Sequence, residues 1–254
     1  MIEIAFVTAA SLLAGFIDAI VGGGGLILTP ALFAAFPTAP AASMMGTNKS
    51  ASVWGSALAA HTYSRKLTFD WRVVAPALAA CLIGSGFGAA ALLLVPSDAL
   101  RKALPFVLVA LLIYTLLNKN LGQSHAPRYK GSHEILVASS IGLLIGFYDG
   151  FFGPGTGSFF VFALVRVLGY DFLSASAHAK LFNSATNLAA LLLLAYKGHV
   201  WWHITAYLVV ANLIGSFFGA RLAMKHGSGF VRWVFVFVVA ALIAKTGYDA
   251  FLKS

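Results

Sequence analysis

Long uncharged apolar runs recur along this chain, and short polar or glycine-rich stretches separate them. The clearest run covers residues 73–95, and the runs at 103–118 and 204–220 are somewhat shorter. A helix of about 20 apolar residues spans the hydrocarbon core of a bilayer, which is about 30 Å thick. The pattern therefore predicts several membrane-spanning helices.

The same pattern divides the first half of the chain into five apolar segments. We predict helical segments, with a glycine break between the first two, at residues 4–20, 26–36, 41–63, 70–95 and 99–118. The second half divides in the same way, so ten segments result.

An internal repeat relates the two halves at a constant offset of 131 residues. The motif GFID at 15–18 recurs as GFYD at 146–149, and LIGSGFGA from Leu82 recurs as LIGSFFGA from Leu213. The match extends from the first helix of each half to the last. It predicts a first transmembrane repeat, a basic cytoplasmic linker and a second transmembrane repeat at residues 1–118, 119–134 and 135–254.

The segments next to the glycine breaks are too short to cross a bilayer. A segment of about twelve residues extends about 18 Å at 1.5 Å per residue, whereas the hydrocarbon core is about 30 Å thick. We therefore expect half-helices or re-entrant hairpins at the breaks. If each segment returns to its starting side, every half keeps three full crossings, and this odd number inverts the second half relative to the first.

The distribution of basic residues agrees with an inverted arrangement under the positive-inside rule. With the loop at 61–72 in the cytoplasm, the odd-crossing arrangement places ten of the seventeen Lys and Arg residues there and five outside. The linker at 119–134 is then cytoplasmic and both termini are outside. Lys49 and Lys180 remain inside the membrane.

Composition narrows the class of protein further. Apolar residues make up 60% of the chain, charged residues make up 10%, and the mean hydropathy is +0.88, whereas soluble domains carry about 25% charged residues. The net charge of +9 is scattered over short loops, so nucleic-acid binding is not expected. The single cysteine, Cys81, excludes an intrachain disulfide.

Two lysines lie within predicted membrane helices, where an ionisable residue costs about 2.5 to 3.5 kcal/mol and indicates function. Lys49 lies on the third segment and Lys180 on its repeat counterpart. Each lysine shares a helix face with hydroxyl and amide residues, which are Asn48, Ser52 and Ser56 in the first half and Ser176, Asn183, Ser184 and Asn187 in the second. The lysines could instead extend to an interface or cap carbonyls of the broken segments.

The glycine breaks contribute a second set of candidates, namely Gly22, Gly23, Gly24 and Gly25 in the first half and Gly153, Gly155 and Gly157 around Pro154 in the second. Glycine exposes the main chain and tolerates positive φ. A helix that begins after such a break directs free N–H groups and a positive dipole end at an anion. Thr156 and Ser158 add hydroxyl donors. Close helix packing is the alternative explanation for the glycines.

Asp18 and Asp149 precede the two breaks at equivalent positions. Each could carry a proton, pair with a lysine or cap the broken helix, and the sequence leaves these roles open. His178, two residues before Lys180, is a further candidate for proton coupling. The chain has no HExxH, GxSxG or paired-cysteine motif, so no metal, cofactor or nucleophilic catalysis is predicted.

The segment GFIDAIVGGGGLILTPAL, followed by MGTNKSASVWGS, is repeated more loosely as GFYDGFFGPGTGSFF and AHAKLFNSATN. This pattern resembles the sulfite and sulfonate exporter family TauE/SafE over essentially the whole chain. The resemblance implies a multi-pass permease of the bacterial cytoplasmic membrane, with two homologous halves, for sulfite, organosulfonates or related sulfur-containing anions. In the second half, His178 and Ala179 replace Thr47 and Asn48 before the lysine, so we do not expect equal ligand contacts from both halves.

The sequence therefore predicts a secondary transporter that moves a small anion by alternating access at a site between inverted repeats. An anion channel, or an intramembrane enzyme acting on a lipid or a sulfur compound, is the alternative. The expected partners are the anion and the lipid bilayer, with a homodimer left open. The predicted substrate-binding residues are Gly22, Gly23, Gly24, Gly25, Thr47, Asn48, Lys49, Ser52, Gly153, Gly155, Thr156, Gly157, Ser158, Lys180, Asn183 and Asn187.

Overall fold

The computed structural model describes residues 1–96 and 126–251. The predicted helix at 99–118 and the start of the linker lie outside the described residues. Within the described ranges the regular elements are helices: α1 (Ile2–Val21), α2 (Gly25–Ala35), α3 (Ala41–Ser64), α4 (Trp71–Leu92), α5 (Ser132–Phe151), α6 (Thr156–Ala163), α7 (Phe172–Tyr196) and α8 (Trp202–Phe251). A π-helical turn, Leu164–Leu168, extends α6, and Gly227 interrupts the helical dihedrals of α8 with a φ of 73°.

The all-helical prediction is confirmed, and the first four predicted segments coincide with α1 to α4. α4 ends at Leu92, slightly before the predicted end at residue 95, and α5 begins at Ser132, inside the stretch assigned to the linker. In the described part of the chain, α1, α4, α5 and the Trp202–Gly227 part of α8 are long and apolar enough to cross a membrane. The two short segments after the glycine breaks form α2 and α6.

Aspartates cap the start of one long helix in each half. Asp70 caps α4 by accepting a hydrogen bond from Arg72 N at 3.0 Å. Asp171 caps α7 in the same way, with Leu173 N and Ser174 N as donors. A side-chain acceptor at this position satisfies N–H groups that have no partner inside the helix.

The first half begins with a helical hairpin. α1 ends at Gly22, whose φ of 82° is left-handed and whose N–H donates to Asp18 O. α2 then folds back along α1, so that Phe6 of α1 shares an apolar cleft with Leu26 and Ala34 of α2. The chain reverses here through a residue in the left-handed conformation. Glycine adopts this conformation without the steric cost of a Cβ, which explains its presence.

In the second half, α6 returns along α5. Tyr148 of α5 donates a hydrogen bond to Pro154 O at 2.6 Å and packs edge-on against Phe159 of α6. Tyr170, just beyond the π-helical turn, donates a hydrogen bond at 2.7 Å to Glu134 in the first turn of α5. The second hairpin therefore starts and ends at the same end of the bundle.

One end of the bundle, called here the His199 end, joins the start of α3 to the loop before α8. Ser43 Oγ lies 3.4 Å from His199 Nδ1, and the Phe36 ring packs edge-on against Trp201. Ile4 of α1 packs in the same apolar cluster as Phe36 and Trp201. The first hairpin therefore starts and ends at the His199 end.

The opposite end, called here the Lys66 end, joins three other loops. Lys66, which follows α3, shares a cavity with Tyr129 of the described part of the linker. Ala126 N donates a hydrogen bond at 2.9 Å to Gly169 O in the loop before α7. The loop after α3, the linker and the loop before α7 are thus neighbours.

Two helix pairs join the halves, because α4 packs along α5 and α8 packs along α1. Gly84 of α4 lies against the main chain of Leu143, and Gly215 of α8 lies against the main chain of Leu12. These contacts are equivalent at the offset of 131 residues. Small residues let helix backbones approach this closely in a membrane. The α4–α5 and α8–α1 interfaces therefore use equivalent residues, with the two halves interchanged.

The outward faces of α1, α4, α5 and α8 are apolar. Leu12, Ile83, Leu144 and Phe218 are between 44% and 71% exposed. Such surfaces suit contact with lipid, which is as apolar as a leucine side chain. Exposed tryptophans, Trp71 and Trp202, begin α4 and α8, where amphipathic rings typically mark the headgroup level.

Candidate functional site

The two glycine breaks lie against each other between the halves. A Cβ at Gly22 would overlap the main chain of Gly157, and one at Gly25 would come within 3.3 Å of Gly153 O. Ser158 N donates a hydrogen bond to Gly22 O at 2.9 Å, which joins the end of α1 to the start of α6. The contact of the breaks, called here the junction, is therefore also a contact between the halves.

Both predicted intramembrane lysines form ion pairs, and each pair crosses from one half to the other. Lys49 Nζ lies 2.7 Å from Asp149 Oδ1, and Lys180 Nζ lies 2.7 Å from Asp18 Oδ2. The lysines are equivalent in the repeat, and so are the aspartates. Each half therefore supplies the lysine of one pair and the aspartate of the other.

The ion pairs are largely removed from solvent. The side chain of Lys180 is 0% exposed, and those of Lys49 and Asp149 are 4% and 2% exposed. A lysine that extends to an interface keeps its ammonium in water, so this alternative for the two lysines is wrong. Removal of one partner would leave a buried charge, which costs about 3 to 5 kcal/mol.

A small polar cavity of about 20 Å³ lies at the junction. This volume accommodates about one water molecule. Residues from both halves line it, and all of them were singled out from the sequence: Asp18, Gly22, Gly25, Asn48, Lys49, Ser52, Asp149, Gly153, Thr156, Gly157, Asn183 and Asn187. The polar helix faces that carry Lys49 and Lys180 and the two glycine breaks therefore all contribute residues to this cavity.

The ammonium of Lys49 lies over the second glycine break. A Cβ at Gly153, where φ is 92°, would come within 2.8 Å of Lys49 Nζ. Thr156 Oγ1 donates a hydrogen bond at 2.7 Å to Gly153 O, which holds the main chain of the break in place. Glycine at this position thus permits the left-handed backbone conformation and leaves space for the ammonium.

Thr29 of α2 is a functional candidate that the sequence analysis missed. Its hydroxyl accepts a hydrogen bond from Asn48 Nδ2 at 2.7 Å, and Asn48 Oδ1 accepts one from Ser52 at 3.0 Å. Thr29 is buried, and its hydrogen bond together with that of Ser52 orients the Asn48 amide. The available signal was a hydroxyl residue within an otherwise apolar short segment.

Seven predicted residues lie outside the lining of this cavity, namely Gly23, Gly24, Thr47, Gly155, Ser158, Lys180 and His178. Thr47 Oγ1 accepts a hydrogen bond from Trp201 N at 3.0 Å, near the His199 end. Both the N–H and the hydroxyl of Ser158 donate to the end of α1. Gly24 N donates to Asp18 Oδ1 at 3.3 Å, so Gly24 supports an aspartate of the lining.

His178 lines a different cavity, which has a volume of about 480 Å³ and lies at the Lys66 end. Its Nδ1 lies 2.8 Å from Ser174 O, and its ring packs against the ring of Tyr170. Burial, together with the hydrogen bond to Glu134, raises the pKa of Tyr170 above its ordinary value. The structure does not bring His178 to the central cavity, and its role in proton coupling stays a prediction.

The groups around the central cavity include donors for an anion. They are the ammonium of Lys49, side-chain amides and the starts of two helices, and they lie beside the carboxylates of Asp18 and Asp149. Across residues 1–96 and 126–251, no group of three or more His, Cys, Asp or Glu residues could hold a metal ion.

Apolar outward faces around a buried, charged contact of two repeats define a multi-pass membrane protein. The model of the family described as "Sulfite exporter TauE/SafE" matches residues 7–246. The chain belongs to this family, and the resemblance noted in the sequence is confirmed.

The relatives support the same class. The chain is 36% identical over 240 residues to the probable membrane transporter protein YfcA of Escherichia coli K12, a match that covers 94% of this chain and 88% of that protein. It is 35% identical to the probable membrane transporter protein ORF9 of Sinorhizobium sp, with 94% and 90% covered. It is 34% identical to one from Haemophilus influenzae, with 93% and 91% covered. No solved structure shows significant similarity. The chain is a membrane transporter and not an enzyme.

Proposed function

We propose that this chain is a secondary transporter of a small sulfur-containing anion, such as sulfite or an organosulfonate, which binds in the cavity at the junction. The observation that carries the proposal is the reciprocal pairing of two lysines and two aspartates between the halves. Ionisable residues inside a membrane mark substrate or ion pathways. The description of the family as sulfite exporters suggests the class of anion.

Lys49 is the cation that the cavity presents to an anion, because Lys49 belongs to the lining and Lys180 does not. Asn183 and Asn187 of α7 contribute amides, whereas the Thr156 hydroxyl donates its proton to Gly153 O. A sulfite or sulfonate group carries three oxygens, each of which can accept charge-assisted hydrogen bonds. The lining therefore offers the donors that such an anion requires.

An inverted arrangement of the halves is part of the proposal. The loop at 36–42 adjoins the His199 end, and its repeat equivalent at 167–173 adjoins the Lys66 end. The loops at 61–72 and 196–203, which are also equivalent, lie at the Lys66 end and the His199 end respectively. Equivalent loops at opposite ends support inversion, with the Lys66 end in the cytoplasm.

The size of the cavity and the way the halves meet support alternating access as part of the proposal. A cavity of about 20 Å³ holds about one water molecule, so an anion with several heavy atoms enters only if the junction opens. Rocking of one half against the other, along the α1–α8 and α4–α5 interfaces, would open the cavity to one end at a time. An open channel would instead require a continuous path.

Uptake of labelled sulfite and methanesulfonate into proteoliposomes tests the proposal. We expect a rate that saturates with anion concentration and rises when the same unlabelled anion is present on the opposite side. Saturation and exchange are properties of a binding site that faces one side at a time. A flux that rises linearly with anion concentration would indicate a channel. A flux in protein-free liposomes equal to that in proteoliposomes would contradict the proposal.

The position of the anion is tested within the same assay by two substitutions on α7. Asn187→Ala should raise the KM about tenfold or more, because a lost hydrogen bond to a charged group costs about 1.5 to 3 kcal/mol. Ser184→Ala is the matched control, since Ser184 lies on the same polar face of α7 as Asn187 but does not line the cavity. An unchanged KM in both variants would place the anion elsewhere.

A further inference from the structure

The junction carries no net charge while both ion pairs are intact. Two ammonium groups face two carboxylates, and each pair is closed at 2.7 Å. Among the described residues, the buried charged side chains are those of Lys49, Asp149 and Lys180. An anion that binds Lys49 must therefore compete with Asp149, and it leaves this carboxylate unpaired in a place removed from water.

The two aspartates differ in how their second carboxylate oxygen is held. Asp18 binds Lys180 through Oδ2 and accepts a hydrogen bond from Gly24 N at Oδ1. Asp149 Oδ2 has no hydrogen-bond partner in the part of the chain that the structure describes, although its side chain is only 2% exposed. Gly155, the repeat equivalent of Gly24, has a left-handed φ of 83°. Asp149 therefore keeps one acceptor unsatisfied beside the cavity.

On the basis of the proposed anion transport, we infer that Asp149 takes up one proton at Oδ2 for each monoanion that binds Lys49. The proton comes from water on the side to which the cavity is open. It neutralises the carboxylate as the anion replaces Asp149 beside Lys49 Nζ, and it leaves with the anion on the other side. A buried carboxylate without a cation partner favours its neutral form. The two species therefore move together, one proton for one anion, with no net charge.

Several other titratable or charged groups lie on the helices around Asp149. They are Lys49, Asp18, Lys180, Cys81 and Tyr148. A thiol and a phenol are neutral near pH 7 and have no proton to gain. Both lysines act as the cations of the ion pairs, and Asp18 has both oxygens occupied. Asp149 Oδ2 is therefore the carboxylate oxygen of this set that has no partner, and it is the position that we assign to the proton.

The test uses methanesulfonate, which stays a monoanion as the pH changes, with sulfite measured in parallel. Anion binding by the wild-type protein should withdraw one proton per anion from a weakly buffered solution. Wherever binding takes up one proton, the affinity of the wild-type protein for the anion should fall about tenfold per unit rise in pH. Asp149→Asn imitates the protonated form, so this variant should bind the anion at a constant affinity and take up no proton. The proton equilibrium of sulfite itself is common to both proteins and is removed by subtraction.

Transport provides the second readout. A proton gradient should drive accumulation of the anion by wild-type protein, whereas Asp149→Asn should exchange labelled for unlabelled anion without responding to the gradient. Asp18→Asn is the matched substitution at the repeat position, and any activity that it retains should keep the pH dependence of the wild type.

Several results would overturn the inference. One is wild-type binding without proton uptake, and another is coupling to sodium in place of protons. Proton-driven accumulation by Asp149→Asn would also contradict it. If the variant fails to fold, the proton count for wild-type protein with methanesulfonate decides. If wild-type protein binds and exchanges neither anion, the proposed function fails first and the inference falls with it.

Discussion

Lys180→Met should destabilise the protein by about 3 to 5 kcal/mol and abolish transport. The substitution leaves Asp18, whose side chain is 13% exposed, without its cation partner, and an unpaired charge that is largely removed from water incurs a cost of this size. The loss should be measured as the free energy of unfolding in detergent micelles. Uptake by reconstituted protein, normalised to the amount of folded transporter, gives the effect on transport.

The double variant Asp18→Asn/Lys180→Met separates the charge from the packing. It carries neither charge, and the amide introduced in place of the Asp18 carboxylate would still offer an oxygen to Gly24 N. Removal of both partners of a buried pair is often close to neutral, so we expect unfolding free energy near the wild-type value and a partial return of transport. A stable single variant, or a double variant as unstable as the single one, would contradict the role given to this pair.

The equivalent double variant of the other pair, Asp149→Asn/Lys49→Met, should behave differently. Its stability should also return, but anion binding should remain lost because Lys49 lines the cavity and Lys180 does not. Equal recovery of binding by the two double variants would mean that the lysines have the same role.

Gly22→Ala should be the most damaging of the glycine substitutions in the breaks. A residue with a Cβ costs about 1 to 2 kcal/mol in the left-handed conformation that Gly22 adopts. The new Cβ would also overlap the main chain of Gly157, which cannot move aside as a flexible side chain can, and overpacking adds about 1 to 3 kcal/mol. The expected loss is therefore about 2 to 5 kcal/mol of unfolding free energy.

Two other glycines provide matched controls. A Cβ at Gly86 of α4 would meet no described atom within 4 Å, so Gly86→Ala should leave the melting temperature unchanged or raise it. Gly198 combines a φ of 77°, close to that of Gly22, with open space, so Gly198→Ala measures the backbone cost alone. An equal loss for Gly22→Ala and Gly198→Ala would show that the contact between the breaks contributes nothing.

Helix positions and the main candidates for the site could be predicted from the sequence because both depend on local patterns. Apolar runs fix where helices fit a membrane, and the glycine clusters interrupt them where α1 and α5 end. The offset of 131 residues then aligned Lys49 with Lys180 and Asp18 with Asp149. All the residues that line the central cavity came from these patterns.

The pairing of these charges could not be predicted, because it depends on how the halves dock. A lysine and an aspartate of the same half are equally plausible partners in sequence, and only the packing of α3 and α7 between the hairpins brings Lys49 to Asp149. Ser158 is a similar case. Its hydroxyl suggested a donor to the anion, but the hydroxyl donates to Val21 O and the N–H donates to Gly22 O at the end of α1.

Diffraction at the selenium absorption edge, from crystals of the protein grown with selenite, would test the central claim most directly. Selenite is the selenium analogue of sulfite, so its anomalous signal locates the anion without reference to any mutation. The account predicts a peak at the junction, with selenite oxygens within about 3 Å of Lys49 Nζ and close to the amides of Asn183 and Asn187. A peak confined to the cavity at the Lys66 end, or no peak between the two halves, would contradict it.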